Sequence, residues 1–183
     1  MNALRHVTFA AGLALAPIDA GGAEPTGLQA LADERAVIRI ADAIDRAVDA
    51  QDWKLARSYF AERVTADSSS LSGQPAANIA SDDLIGTWSA NLKGSKTSLH
   101  LRTNHQVAVE GDKATVLSNG YAWNRMEGNG DPLWEVWGIY EHHLTRSYEH
   151  HLTRSAEGWK VDGFTFRMTH ERGNPWVKST PGQ

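Results

Sequence analysis

Ser98–Met126 reads SLHLRTNHQVAVE, then GD, then KATVLSNGYAWNRM. Both long runs are strand-like, and in the first the residues alternate at period two. Leu99, Leu101 and Thr103 share one face, and His100, Arg102 and Asn104 share the other. Gly111-Asp112 between the runs is a tight turn, so the stretch is a long hairpin. The loop Glu127–Pro132 follows. Leu133 then opens a third long strand rich in Trp, Val, Ile and Tyr, and Trp159–His170 is the fourth.

Upstream the period changes. Over Leu28–Val48, the residues Val37, Ile40, Ala41, Ile44, Ala47 and Val48 fall on one helical stripe, while Glu34, Arg35, Asp42 and Arg46 fall largely elsewhere. Asp52 reads as the N-cap of a short helix, Trp53–Phe60. Val64–Asp67 reads as a short strand and Ser68–Ala77, rich in Ser, Gly and Pro, as loop. Ser81 caps a third helix reaching about Leu92, with Leu84, Ile85 and Trp88 inward and Gly94 at its stop. Helices first and a meander afterwards indicate an α+β fold, not a doubly wound sheet. One sheet face lies under the helices, and the other is free for a homo-oligomer interface.

At 183 residues, with 41% hydrophobic and 22% charged residues, the chain fits one domain plus a leader. The net charge of −4 and the lack of a basic stripe argue against nucleic acid as a partner. No cysteine is present, which removes disulfides, thiolate catalysis and Cys-ligated zinc. Arg5 and His6, the apolar run Val7–Ala16, Pro17, and the small residues Gly21 and Ala23 before Glu24 resemble a secretory signal. The expected division is a signal peptide at 1–23, a domain at 24–173 and a tail at 174–183. The expected location is periplasmic or secreted, or cytoplasmic if the leader is not a signal. No later segment could span a membrane.

Tyr140–Ser147 (YEHHLTRS) recurs unchanged as Tyr148–Ser155. The repeat is too short for a repeat architecture. An even slip keeps every side chain on its face, so either copy can pair with Trp159–His170. The spare copy, roughly 26 Å if extended, must lengthen the hairpin or loop out. The expectation is the first copy in the sheet and Tyr148–Gly158 as a protruding tip.

Two residues stand out for chemistry. Asp49 ends the first helix, where a carboxylate opposes the helix dipole; a solvated helix-end aspartate is the alternative. His100, between two leucines near a strand start, suits a half-buried base or a surface histidine. His105 falls on the opposite face from His100 unless a bulge intervenes. His142-His143 and His150-His151 each split across two faces, and no His-x-His or HExxH pattern supports a metal. Ser68-Ser69-Ser70 lacks a nucleophile elbow, and Gly128-Asn129-Gly130 is a turn with no helix after it. Aromatics crowd the sheet and its flanks. Most are core, and a few, with Trp88, Tyr121 and Tyr140 as candidates, would line an apolar pocket with some polar groups.

Ala47–Trp53 (AVDAQDW), Val64–Asp67, Ser70–Gly73, Asp83–Trp88 (DLIGTW), Leu99–His105 (LHLRTNH) and Gly158-Trp159-Lys160 come in an order and spacing that resemble the SnoaL-like branch of the nuclear transport factor 2-like superfamily, from about Leu31 to Gly173. The resemblance implies a cone-shaped barrel: three helices closing a strongly bent, mostly antiparallel sheet around a ligand cavity, with frequent dimers or trimers. Relatives include scytalone dehydratase, hexachlorocyclohexane dehydrochlorinase, ketosteroid isomerase and polyketide cyclases. In the dehydratase and the dehydrochlorinase, an Asp–His dyad takes a proton next to a leaving group. Asp49 and His100 match it. The dehydratase's second histidine is matched by Asn124, which can hydrogen-bond substrate but cannot act as an acid.

The resemblance therefore implies a lyase or isomerase without cofactor or metal, acting on a small apolar cyclic molecule. Fold alone does not choose between functions. A non-catalytic ligand-binding or carrier domain is the alternative, and an interaction module using the free sheet face is a third.

Overall fold

The computed structural model describes residues 27–146 and 158–183. The expected signal peptide and the second octad copy fall outside them. Helix α1 (Gly27–Asp49) buries Val37, Ala41, Ile44 and Val48, spaced by three or four residues. It ends where Gln51 takes a left-handed conformation (φ 55°), with Asp52 N bonded back to Ala47 O. α2 (Trp53–Ser58) follows, its first turn capped by the Asp52 carboxylate, which accepts from Leu55 N at 3.0 Å. Phe60 belongs to β1 (Phe60–Asp67) and not to the helix.

The stretch read as loop, Ser68–Ala77, holds one short element and the first residue of another. α3 (Ser69–Ser72) is a single turn closed by Gly73 at φ 73°. β2 (Ala77–Ala80) pairs antiparallel with β1, and Arg63 of β1 clasps Asn78. α4 (Ser81–Asn91) begins at Ser81, with Ala80 in the cap position. Ser81 is buried and its hydroxyl caps nothing, a correction to the sequence reading.

The meander comprises β3 (Thr97–Glu110), β4 (Lys113–Arg125), β5 (Leu133–Arg146) and β6 (Trp159–Gly173). The tail carries α5 (Pro175–Ser179), whose Val177 is fully buried. The sheet order is β2-β1-β6-β5-β4-β3, antiparallel except for β1 with β6. The first octad copy is in β5, where Tyr140–Arg146 pair with Phe166–Trp159.

The fold is thus α+β with a curved mixed sheet, but the barrel expected from the resemblance is not closed. β2 and β3 form its two edges. β2 is four residues long and, among the described residues, pairs only with β1. α1 lies along β3 instead, and the core fills the space between α1, α4 and the concave sheet face: Val116, Ala122, Val136, Leu144, Val161 and Phe166.

Candidate active site

α1 and β3 face each other through three acid–base pairs. Asp42, Asp45 and Asp49, spaced by three and four residues, share one side of α1. Opposite them on β3 stand His105, Arg102 and His100, in reverse order. His105 Nε2 is 3.1 Å from Asp42, so the acid read as lying off the stripe reaches the sheet. His105 shares the side of His100 because a bulge lies between Thr103 and Gln106, with Asn104 at φ 54°.

Asp49 Oδ1 is 2.7 Å from His100 Nδ1 and accepts from Ser98 Oγ at 2.8 Å; Oδ2 accepts from the His100 backbone N–H at 2.8 Å. These donors offset the dipole penalty of an acid ending a helix. Burial presses the Asp49 pKa upward, but the His100 ring, its backbone N–H and Ser98 together hold the carboxyl below the usual carboxylate range. A carboxylate only accepts, so Nδ1 carries a hydrogen, and in the neutral ring the lone pair is then on Nε2. Nε2 has no hydrogen-bond partner among the described residues.

Asp45 and Arg102 form the middle pair. Arg102 Nε and Nη2 donate to the two Asp45 oxygens at 2.5 and 2.7 Å. The guanidinium lies 3.5 Å from the centroid of the Tyr140 ring. Burial opposes its charge, and Asp45 more than restores it, raising the Arg102 pKa. Tyr140 is pushed up to about 12 by burial. Gly120 makes room for that ring, since a Cβ there would overlap it.

A cavity of about 540 Å³ lies between the concave sheet face and α1, α3 and α4. Leu71, Leu84, Trp88, Phe164 and Phe166 give it apolar walls. His100, Arg102 and Asn124 reach it from the sheet, and Lys178 and Ser179 reach it from the tail. Asp49 does not line the cavity; it holds His100, which does. Trp88, packed edge-on against Phe60 and Phe164, Asn124 and Tyr140 all line it.

Tyr121 does not, which corrects the sequence reading. It is three residues from Asn124 on an unbroken strand and so faces the other way. Its hydroxyl donates to Glu135 at 2.6 Å and its ring packs on Trp137, outside the concave face. A second depression, about 640 Å³, lies over Arg57, Arg63, Arg146 and Lys160. Those cations already engage Asp82, Asn78, Asp33 and the Ser58 carbonyl.

Arg102 and Asp45 were not singled out from the sequence. The signal was present in the three-and-four spacing of the acids and in the face that Arg102 shares with His100. His142 is fully buried against Phe164, its pKa pushed down to about 3 by burial and by Arg102, while His143 points outward to Glu141; the pair divides across the sheet.

Residues 29–165 match the model of a family described as the SnoaL-like domain. No curated protein matches the sequence significantly. Among solved structures, the Kfla4162 protein from Kribbella flavida superposes with a TM-score of 0.72 at 20% identity, over 82% of this chain and 99% of that one. A provisionally named scytalone dehydratase from Novosphingobium aromaticivorans gives 0.65 at 17% identity, over 78% and 88%. The LinA-type3 hexachlorocyclohexane dehydrochlorinase from Novosphingobium barchaimii gives 0.61 at 16% identity, over 80% and 93%. At these identities the likeness is one of fold.

Proposed function

This chain belongs to the SnoaL-like domain family, and from that premise we propose that it is a cofactor-independent lyase or isomerase that removes a proton from a small, apolar, cyclic substrate. The observation that carries the reading is the 2.7 Å contact between Asp49 Oδ1 and His100 Nδ1, with His100 at the wall of an apolar cavity. Asp49 fixes the tautomer and stabilises the imidazolium that forms, and Nε2 is the general base. The bond that breaks is C–H; its proton moves to Nε2 and its electron pair stays with the substrate. Asn124 cannot return a proton to a leaving hydroxyl. The site therefore suits isomerisation, or loss of a group that departs as an anion, better than dehydration. The fold's similarity to dehydratase and dehydrochlorinase structures supports this class.

The test is proton exchange. Neutral cyclic ketones and halogenated cycloalkanes are incubated with the protein in D2O and followed by NMR. Deuterium uptake or elimination is expected with the native chain, and a fall of about a hundredfold or more in His100→Ala with folding intact. Binding of the same probes without exchange or elimination, indifferent to His100→Ala, would establish the carrier reading instead.

A further inference from the structure

The part of β5 that holds the first octad copy is fitted residue by residue to its neighbours. Gly120 of β4 leaves room for the Tyr140 ring and Gly163 of β6 for His143, since a Cβ at either would overlap the side chain. His142 is fully buried and Leu144 is 1% exposed. Glu141 pairs with Arg167 at 2.8 Å, and Thr145 donates to Asp162. Arg146 reaches Asp33 at 2.7 Å and lies over the Trp159 ring. Every residue from Tyr140 to Arg146 thus meets a partner or a recess suited to its own type.

Residues 148–154 repeat those seven in type and order, and no other stretch of the chain does. The offset is eight, an even number, so a strand moved by one copy keeps each side chain on its own sheet face. The move brings a tyrosine to Gly120, a histidine to Gly163, a leucine to the core and an arginine to Asp33. The ends of the strand also allow it. With the first copy in place, residues 147–158 join β5 to β6, a long connection for a hairpin. With the second copy in place the connection is 155–158, an ordinary hairpin length. The displaced octad then leaves β5 after Ile139, which is 38% exposed, beside a register irregularity already present between Trp137 and Gly138. The two registers share their contacts and differ in one extra loop to close, so the first copy holds the ground state.

We propose that β5 has two registers, and that residues 148–154 are a reserve copy that takes the sheet positions of residues 140–146 when the first copy cannot hold them. The consequence is tolerance. A lesion in the first copy moves out to solvent with the displaced octad, and the second copy restores the buried side chain. The proposal is independent of any reading of the cavity.

Leu144→Asp tests it, because a carboxylate at so buried a position cannot stay there unpaired. Far-UV circular dichroism and urea unfolding are compared in the native full chain, Leu144→Asp, Leu152→Asp and the double variant. Leu144→Asp is expected to keep the native strand signal and a cooperative transition, shifted to lower urea, with Leu152 in the core. Leu152→Asp should unfold like the native chain, since the first copy is then intact. The double variant has no sound copy and should lose its cooperative transition. A chain lacking residues 148–155 should fold, and Leu144→Asp made in that chain should not. Loss of the transition in Leu144→Asp of the full chain overturns the proposal. So does a double variant that unfolds like Leu144→Asp alone, which would mean that the site itself accepts the charge. Failure of Leu152→Asp or of the shortened chain to fold would make the second copy a required part of the structure and would equally overturn its role as a reserve.

Discussion

Asp42, Asp45 and Asp49 are one residue type on one helix face, yet their surroundings give them different work. The Asp45–Arg102 pair is out of water, with side chains 9% and 3% exposed. Breaking such a pair strands a buried charge and costs about 3–5 kcal/mol. Asp49 is 17% exposed and holds its site through three hydrogen bonds, so its removal should cost about 1–3 kcal/mol. Urea unfolding of Asp45→Ala and Asp49→Ala should rank them in that order, while proton-exchange activity should fall further in Asp49→Ala per unit of stability lost. Equal losses of stability would mean that the Asp45 pair is hydrated in solution. The pH dependence has a definite sign. The folded pKa of Asp49 lies below its ordinary value of 3.8, so its stabilising contribution is complete above the carboxylate range and is lost as pH falls through the folded value.

At the scale of the element, the bulge in β3 decides which residues meet α1. Before it, His100 and Arg102 face inward; after it, His105, Val107 and Val109 do. A strand without the bulge would turn the two valines to solvent. Asn104 sustains it at φ 54°, a conformation that costs a side-chain-bearing residue about 1–2 kcal/mol and a β-branched one more. Asn104→Val should therefore destabilise by at least about 1 kcal/mol in thermal unfolding, and Asn104→Gly should be neutral within a few tenths. A neutral Asn104→Val would show that the strand can shift register at little cost.

The same parity explains what the sequence disclosed. Period-two alternation made β3 legible, and long strand-like runs made β4, β5 and β6 so. His105 could be placed only conditionally, because a bulge is a tertiary choice. Tyr121 was misplaced although its odd spacing from Asn124 already set it on the other face. β2, α3 and α5, at four or five residues, are too short to show a period, and packing on β1, β6 and the core defines them. Asp49 and His100 came from the helix-end position, the strand start and a family likeness. The Asp45–Arg102 pair needed the helix and the strand set side by side.

For the molecule as a whole, the segment read as a tail is part of the closure. Lys178 and Ser179 line the cavity, and Val177 is in the core. Lys96, in the α4–β3 connection, fastens this segment: it is fully buried, and its ammonium donates to Asn91 Oδ1 at 2.8 Å, Thr180 O at 2.9 Å and Lys178 O at 3.4 Å. Gly182 N–H also donates to Asn91 O, and Ser95 N–H to Gln183 O. The three acceptors match three ammonium hydrogens, but among the described residues no carboxylate joins them, and burial pushes the Lys96 pKa down to about 8 from 10.5. Between those values the unfolded chain holds the proton and the folded chain does not. Stability should therefore rise with pH from about 8 toward 10 through this group, opposite to the trend of a lysine held by an acid. Denaturant unfolding at pH 7, 8.5 and 10 should show the rise in the native chain and its absence in Lys96→Met, which keeps the stem's packing without a titrating group. Probe affinity for the cavity should weaken in Lys96→Met as the tail loosens. A native profile flat over that range, or the same slope in both chains, would detach Lys96 from the closure and leave the tail held by Val177 and its backbone bonds.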